Sequence, residues 1–252
     1  MKSGRMTELE LIVDLHLGTE RQGPGSKAIT LTALQLIPNS NDIKTVADLG
    51  CGTGGQTLTL AQHLNAQITA VDLFPEFLEE VNVRAQNEGV ANQIGVLQKS
   101  IDDLPFKEEL DLIWSEGAIY NLGFKNGIQL WKDYLKPGGY LAVSEITWIT
   151  GSRPKEIQEF WTHAYPEISQ AKDKIVDLED NGYNLVGYFK LPPESWLKTY
   201  YEPLEKTIPA FLERHDHSEL AQKVAQEYLD ELSLYKKYSK YFSYGFYIAQ
   251  KE

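Results

Sequence analysis

The chain has 252 residues, of which 42% are hydrophobic, so its length and composition suit one large α/β domain with a real core. Its formal net charge of −12 argues against nucleic acid or an anionic membrane as a partner, because both attract basic surfaces. The single cysteine, Cys51, excludes an internal disulfide, argues against a cysteine zinc site and favours a reducing, cytoplasmic compartment.

The first 44 residues predict two helices and a loop rather than a signal peptide or a membrane span. Apolar residues recur at helical spacing over residues 6–17 and again over residues 27–37. Two glycines and a proline in residues 19–26 predict a loop between the helices, and Ser26 is a suitable N-cap for the second helix. No apolar run approaches the roughly 18 residues that a membrane span needs.

A glycine-rich segment follows, reading V-A-D-L-G-C-G-T-G-G over residues 46–55. It predicts a buried strand that turns into a helix over residues 56–64, the arrangement that forms nucleotide sites in open α/β sheets. The glycines satisfy two patterns at once. The dinucleotide pattern G-x-G-x-x-G uses Gly50, Gly52 and Gly55, and the pattern D-x-G-x-G-x-G uses Asp48, Gly50, Gly52 and Gly54.

Apolar runs and helical patterns alternate after this loop. They predict strands over residues 66–72, 94–99, 110–115 and 140–146, with helices over residues 75–87 and 126–135. The segment K-P-G-G at residues 136–139 is expected to stop the second of these helices. Such alternation predicts βαβ units and a mostly parallel sheet. Asp72, at the end of the second strand and about twenty residues past the loop, is placed to accept hydrogen bonds from ribose hydroxyls.

The alternation loosens beyond residue 146. The pattern predicts helices over residues 155–165, 169–180, 196–214 and 218–238, and strands over residues 183–191 and 243–250. We expect the two late strands to form an antiparallel edge of the sheet. The chain is therefore predicted to be a single domain (1–252), with a helical N-terminal lid (1–44), a ligand-binding core (45–146), and cover helices with terminal strands (147–252).

Four motifs in order make the chain resemble the class I S-adenosylmethionine (SAM) dependent methyltransferases. They are D-L-G-C-G-T-G at 48–54, A-V-D at 70–72, S-I-D-D-L-P-F at 100–106 and L-K-P-G-G-Y-L at 135–141. The resemblance implies a Rossmann-like, doubly wound, mostly parallel sheet of seven strands with an antiparallel last strand. It also implies a methyltransferase with SAM as cofactor and S-adenosylhomocysteine (SAH) as product.

Carried onto this chain, the resemblance implies a cofactor site built from several segments. Its residues are Asp48, Gly50, Cys51, Gly52, Thr53, Gly54, Gln56, Asp72, Leu73, Ser100, Ile101, Ser115, Glu116, Gly117, Arg21 and Ser26. In this assignment Asp72 holds the ribose hydroxyls and Leu73 packs on the adenine. The family often has an aspartate where Ser100 stands, so the adenine contact is open between Ser100 and Asp102. Arg21 is either a partner of the cofactor carboxylate or a solvated loop residue.

The resemblance also implies methyl transfer by positioning and exclusion of water, with no nucleophilic residue. A general base is needed only where the acceptor must lose a proton. The candidate residues on the acceptor side are Glu116, Tyr120, Trp148, Tyr165, Trp196 and Tyr200. Aromatic faces with a carboxylate suit a cationic or amine acceptor, although most rings at helical spacing are core residues. We expect a small-molecule acceptor, whose methylated atom stays open among nitrogen, oxygen, carbon and sulfur.

Two other interpretations share some of these residues. An NAD(P)-dependent oxidoreductase shares the glycine loop and Asp72, but L-P-F and K-P-G-G have no place in it. A non-catalytic protein that binds SAM or SAH needs the same binding residues as the enzyme. No group of His, Cys or carboxylate residues has metal-ligand spacing, so we expect no metal.

Overall fold

One mostly parallel sheet organises the protein, as seen in a computed structural model that describes residues 6–252. Its strands are β1 Thr45–Leu49, β2 Gln67–Asp72, β3 Ile94–Gln98, β4 Leu110–Glu116, β5 Leu135–Trp148, β6 Ser169–Gln170, β7 Tyr183–Lys190 and β8 Phe242–Lys251. The strand order is β3-β2-β1-β4-β5-β8-β7, with β6 beside β5. Because β8 runs antiparallel to β5 and β7, the predicted fold class is confirmed, and the two-residue β6 is the strand that the sequence did not predict.

Helices cover both faces of the sheet and one of its edges. They are α1 Glu8–Leu17, α2 Lys27–Leu36, α3 Gly55–His63, α4 Pro75–Asn87, α5 Phe124–Lys132, α6 Lys155–Ala164, α7 Ala171–Asp180, α8 Glu194–Trp196, α9 Glu202–Arg214 and α10 Glu219–Tyr238. Most begin and end within two or three residues of the sequence prediction. Within residues 6–252, no helix combines the length and the apolar character needed to cross a bilayer.

The core divides into two layers because successive strand residues point to opposite faces of the sheet. Trp114 of β4 and Phe246 of β8 pack with α2 and α3, with ring centroids 5.4 Å apart. Their neighbours Ile113 and Tyr247 lie in the layer that contains α5 and α7. Both faces of the central strands are therefore buried, which explains why these strands are apolar runs without polar alternation.

A third apolar cluster lies beyond the carboxyl ends of the strands. It joins α1, α6, α9 and α10 to the end of β5 and the start of β8. Trp196 is its centre, since its ring stacks on Tyr235 at 4.7 Å and meets Phe242 edge-on at 5.9 Å. This cluster holds the lid helix and the C-terminal helices over the carboxyl ends of the parallel strands.

The K-P-G-G segment does not stop the preceding helix as expected, but forms part of a strand. The preceding helix ends at Lys132, and residues 136–139 lie inside β5. Leu135 pairs with Leu110 and Tyr140 pairs with Leu112, so the intervening residues bulge out of register with β4. Gly138 takes a left-handed φ of +78° in this bulge, a conformation that glycine adopts without steric strain.

Residues 196–214 form an interrupted helix rather than the single predicted one. A π-helical turn, Leu197–Tyr201, joins α8 to α9. Pro203, in the first turn of α9, has no N–H with which to continue the hydrogen-bond ladder of an α-helix. The wider turn carries Tyr200 and Tyr201, and both are buried.

Candidate functional site

The glycine loop lies at the point where the strand order reverses, between the carboxyl ends of β1 and β4. Gly50 and Gly52 both take left-handed φ values, +76° and +54°. A Cβ on Gly50 would lie 2.3 Å from the Cβ of Ala118, so no larger residue fits there. The loop can therefore approach a ligand with its backbone, at the place where open α/β sheets bind ligands.

Asp72 is held at the end of β2 by the glycine loop itself. Its Oδ2 accepts a hydrogen bond from the N–H of Gly52 at 2.9 Å, and its Oδ1 accepts one from the N–H of Phe74 at 3.1 Å. Burial raises the pKa of the Asp72 carboxyl, and the backbone hydrogen bonds oppose that shift. The two contacts fix the carboxylate at the cavity wall, where its remaining lone pairs can accept hydrogen bonds from a ligand.

Asp48 lies behind the cavity wall and holds the side chains of Gln56 and Thr57. It is fully buried, and its carboxylate accepts hydrogen bonds from Thr57 Oγ1 and from Gln56 Nε2. Burial raises its pKa to about 7. Gln56 itself lines the cavity whereas Asp48 does not, so the contribution of Asp48 is to orient that amide.

Five other residues of the predicted cofactor set lie outside the cavity wall and maintain its frame. Cys51 packs against α4, Thr53 binds the lid loop, Gly54 begins α3, Ser115 Oγ donates to the carbonyl of Leu49, and Ser26 caps α2. Burial or helix capping accounts for these five residues, and none of them needs to contact a ligand. The motif therefore contains residues that shape the loop as well as residues that line it.

The loop over residues 19–26 lies directly on the glycine loop. Gln22 Oε1 accepts a hydrogen bond from the N–H of Thr53 at 2.8 Å, and Gln22 Nε2 donates to Thr53 Oγ1 at 3.0 Å. A Cβ on Gly52 would lie 1.9 Å from Gln22 Oε1. The second glycine of the motif thus makes room for the lid as well as for a ligand.

A buried ion pair ties the lid to the end of β4. Arg21 Nη1 donates to Glu116 Oε2 at 2.6 Å, and both side chains are about 5% exposed or less. Glu116 Oε1 also accepts hydrogen bonds from Thr30 Oγ1 and Trp114 Nε1, at 2.7 and 3.0 Å. Arg21 Nη1 lies 3.4 Å from Gln56 Oε1, and its Nε has no partner within the described residues. The charge of Glu116 is therefore already neutralised within the protein.

A cavity of about 610 Å³, called here the cofactor cavity, opens between the lid and the glycine loop. The predicted residues that line it are Arg21, Gly50, Gly52, Gln56, Asp72, Leu73, Ser100, Ile101, Glu116, Gly117 and Tyr120. Ser100 and Ile101 form its wall after β3, whereas Asp102 is exposed and outside it. Leu73 is 52% exposed, so it presents an apolar surface that a flat ring can cover.

A second cavity of about 360 Å³, called here the acceptor cavity, adjoins the first. Gly117 and Tyr120, just past β4, line both cavities, which therefore meet at the end of that strand. Of the acceptor-side candidates, Tyr120, Tyr165, Trp196 and Tyr200 line the acceptor cavity. Glu116 lines only the cofactor cavity. Trp148 lines neither, because its ring is buried in the cover cluster with the Arg153 guanidinium 4.0 Å above it.

Sequence reasoning missed several residues of the acceptor cavity. They include His16, Trp161, Tyr228, Glu231 and Tyr244. Tyr228 and Glu231 are three residues apart on α10 and so share a helix face. That spacing was the only signal in the sequence, and it is the same signal that core residues give.

His16 is a neutral group of this cavity. Its Nε2 lies 2.6 Å from the Tyr228 hydroxyl, and its Nδ1 has no hydrogen-bond partner among residues 6–252. Burial lowers the pKa of His16 to about 4, so the imidazole is uncharged near neutral pH. The described residues contain no group of three or more His, Cys, Asp or Glu side chains arranged to hold a metal ion.

Comparison with known proteins agrees with this geometry. A family model described as "Methyltransferase domain" matches residues 46–139. The "SAM-dependent methyltransferase from Geobacter sulfurreducens", solved in complex with SAH, is similar in fold, with a TM-score of 0.82 and 21% identity over 98% of this chain and 99% of that one.

Two curated relatives differ in what their names say they methylate. A probable cobalt-precorrin-6B C(15)-methyltransferase (decarboxylating) of Methanothermobacter thermautotrophicus is 29% identical over 127 residues, 49% of this chain and 64% of the relative. A probable protein arginine N-methyltransferase 6.2 of Oryza sativa subsp. indica is 29% identical over 162 residues, 60% of this chain and 41% of the relative. The chain thus spans less than two thirds of either relative.

Proposed function

Because a family model described as "Methyltransferase domain" matches residues 46–139, we propose that the chain is a class I SAM-dependent methyltransferase that transfers the methyl group of SAM to a small-molecule acceptor. The observation that carries the proposal is the pair of cavities that meet at Gly117, at the carboxyl end of β4. One cavity has the glycine loop and Asp72 in its wall. The other is lined by aromatic side chains of the cover region, with Leu9, Ile12 and His16 of α1 on the lid side.

The residues of the cofactor cavity fit SAM in chemistry and in order. Asp72 has free lone pairs for the ribose hydroxyls, and Leu73 offers an apolar face to the adenine. Arg21 is a buried cation whose Nε has no partner among the described residues, so it suits the methionyl carboxylate. When bound, SAM supplies a methyl group activated by its sulfonium centre.

The protein must then position the acceptor against the methyl group and exclude water from the reacting atoms. The contact between Gln22 and Thr53 holds the lid loop over the glycine loop, and Leu9 and Ile12 of α1 line the cofactor cavity. A lid in this position would shield the reacting atoms from water. Tyr120 and Gly117 line that point and define the direction from which an acceptor arrives. We propose the same division of the chain as above, with the lid in residues 1–44 and the cover in residues 147–252.

A small-molecule acceptor is supported by the size of the acceptor cavity. Its volume of about 360 Å³ falls within the range of small-ligand pockets, roughly 300 to 1,000 Å³. The named acceptors of the two relatives, a cobalt-precorrin and protein arginine, differ too much to be carried over to this chain. A cytoplasmic location is part of the proposal and is supported by the single buried cysteine.

The test is thermal unfolding of the purified protein with SAM, SAH, NAD or NADP in separate samples. A ligand at one hundred times its dissociation constant adds about 2.7 kcal/mol to the free energy of unfolding. We expect stabilisation by SAM and SAH alone. Stabilisation by NAD or NADP alone would contradict the proposal and favour the oxidoreductase interpretation. Incubation with methyl-labelled SAM and a small-molecule library then separates an enzyme from a non-catalytic binder.

A further inference from the structure

The acceptor cavity contains one formally charged side chain among the residues that the structure describes. Glu231, on α10, lines the cavity, and no lysine or arginine does. Arg21 lines the adjoining cofactor cavity but not the acceptor cavity, and it is already paired with Glu116. His16 is uncharged near neutral pH. Within residues 6–252, the cavity therefore provides no cation that could balance the carboxylate of Glu231.

The carboxylate of Glu231 is held in place, yet it keeps capacity for a ligand. Its Oε1 accepts a hydrogen bond from the hydroxyl of Tyr201 at 2.7 Å, and Tyr201 is 2% exposed. Its Oε2 has no hydrogen-bond partner in the part of the chain that the structure describes. Burial raises the pKa of Glu231, because the Tyr201 hydroxyl offsets the loss of hydration only partly. A counter-cation from a ligand would remove this cost.

Aromatic rings form about half of the remaining wall. Besides Phe74 and Phe77, they belong to Tyr120, Trp161, Tyr165, Trp196, Tyr200, Tyr228 and Tyr244. The face of an aromatic ring attracts a cation placed over it, and such contacts are strongest where water is excluded. Tyr120 is 46% exposed and lies at the junction with the cofactor cavity. A positively charged group is therefore favoured by the wall as well as by Glu231.

We infer that the acceptor cavity binds an organic ammonium group between its aromatic wall and Glu231, so that the methyl acceptor is a small amine. Its nitrogen first gives a proton to the Glu231 carboxylate or to water, because an ammonium has no lone pair with which to accept the methyl group. This inference rests on the proposed function, which makes this cavity the acceptor side. Glu231 thus takes the part that the sequence suggested for Glu116, whose charge Arg21 neutralises. A carboxylate or phosphate acceptor is disfavoured, since it would face Glu231 with no described cation in the wall.

The experiment compares choline with 3,3-dimethylbutan-1-ol, which has the same shape and no charge. Binding is followed by tryptophan fluorescence, because Trp161 and Trp196 line the cavity. We expect choline to bind at least tenfold more tightly than the neutral alcohol to the wild-type protein. Glu231→Gln should abolish this preference and leave the affinity for the alcohol unchanged. Equal binding of the two probes to the wild type, or a preference that survives in Glu231→Gln, would overturn the inference.

Glu227→Gln is the matched control, because it removes the same charge from the same helix one turn earlier. Glu227 is exposed and lies 3.6 Å from Lys223, outside the cavity. The Glu227→Gln variant should keep the wild-type preference for choline over the neutral alcohol. Tyr120→Leu provides a second variant at a half-exposed position, should Glu231→Gln unfold. We expect its preference for choline over the alcohol to fall roughly two- to fivefold relative to the wild type.

The two proposals fail in different ways. Calorimetric titration with SAH tests the cofactor cavity by itself. The probe comparison is made both with and without SAH, so it does not depend on cofactor binding. Failure of SAH to bind overturns the proposed function. Normal SAH binding without a preference for choline overturns the ammonium site alone.

Discussion

The carboxylate of Asp72 connects the glycine loop to the wall of the cofactor cavity. The N–H of Gly52 donates to it at 2.9 Å, so the loop and the end of β2 position each other before any ligand binds. Preorganisation of this kind lowers the entropic cost of binding. The same contact keeps a negative group at the cavity wall although burial raises its pKa.

We predict that Asp72→Ala weakens the binding of SAM more than tenfold, which corresponds to about 1.4 kcal/mol. The substitution removes the acceptor for the ribose hydroxyls and leaves the N–H of Gly52 without its partner. Isothermal titration calorimetry measures the effect. Asp102→Ala is the control, because Asp102 is exposed outside the cavity and its loss should not change the affinity. Unchanged affinity in Asp72→Ala would remove Asp72 from the cofactor site.

His16 gives the folded protein a distinct dependence on pH. Its pKa is about 4 in the folded state, against about 6.5 in an unfolded chain. The contribution to stability is therefore present above pH 6.5 and is lost as the pH falls towards 4, because the unfolded state binds the proton more readily.

We predict that His16→Gln flattens this part of the pH profile. Between pH 7 and pH 4, the free energy of unfolding of the wild type should fall by about 3 kcal/mol more than that of the variant. Urea denaturation at several pH values measures it. His217→Gln should follow the wild type, because that ring is 53% exposed. Parallel profiles for the wild type and His16→Gln would show that His16 does not titrate in this way.

At the scale of elements, β5 and α7 are joined by a buried ion pair. Lys174 Nζ lies 3.4 Å from Glu145 Oε1, and both side chains are 1% exposed. Lys174 also lies over the ring of Phe124, 4.5 Å from its centroid. Burial raises the pKa of Glu145 and lowers that of Lys174, while each charge opposes the shift of the other. Each charge is therefore stabilised in the core only while its partner is present.

We predict that Lys174→Met lowers the free energy of unfolding by about 3–5 kcal/mol, because it leaves the Glu145 carboxylate buried without a cation. Chemical denaturation measures the change. The double variant Glu145→Gln with Lys174→Met should recover part of the loss, since it also removes the unpaired charge. Lys125→Met is the exposed control and should have little effect. A small effect of Lys174→Met alone would mean that Glu145 takes a proton at low cost.

At the scale of the whole molecule, the site depends on parts of the chain that lie far apart in sequence. The lid contributes Leu9, Ile12 and Gln22 to the wall of the cofactor cavity, and α10 contributes Tyr228. The core contributes the glycine loop and Asp72. A ligand that fills the cavity therefore contacts all three regions and should hold the lid closed.

We predict that SAH slows amide hydrogen exchange in residues 19–26 by roughly an order of magnitude, because these residues cover the cavity. Mass spectrometry of proteolytic peptides measures the rates with and without SAH. A peptide from Ala171–Asp180 is the internal control, since that helix lines neither cavity. Equal exchange of residues 19–26 in both states would show that the lid does not respond to the cofactor.

The order of strands and helices was predictable because each element has a recognisable local sequence pattern. Buried parallel strands are apolar runs, amphipathic helices repeat their apolar residues, and Gly50 and Gly52 mark a turn that other residues cannot make. The predictions were wrong at two places, where strand pairing or a proline overrode the local apolar pattern. Pairing of β5 with β4 drew K-P-G-G into the sheet, and Pro203 broke a helix that the apolar period had continued.

The sequence by itself determined the order of strands and helices, the glycine loop and the place of Asp72, since each depends on neighbours within one βαβ unit. Only the tertiary structure decided which charges are neutralised and which remain available. Glu116 meets Arg21 across 95 residues, and His16 meets Tyr228 across 212. Apolar periodicity shows that a helix face is buried but not what it faces, so Glu231 became visible as a site residue only when α10 was packed against the lid and the sheet.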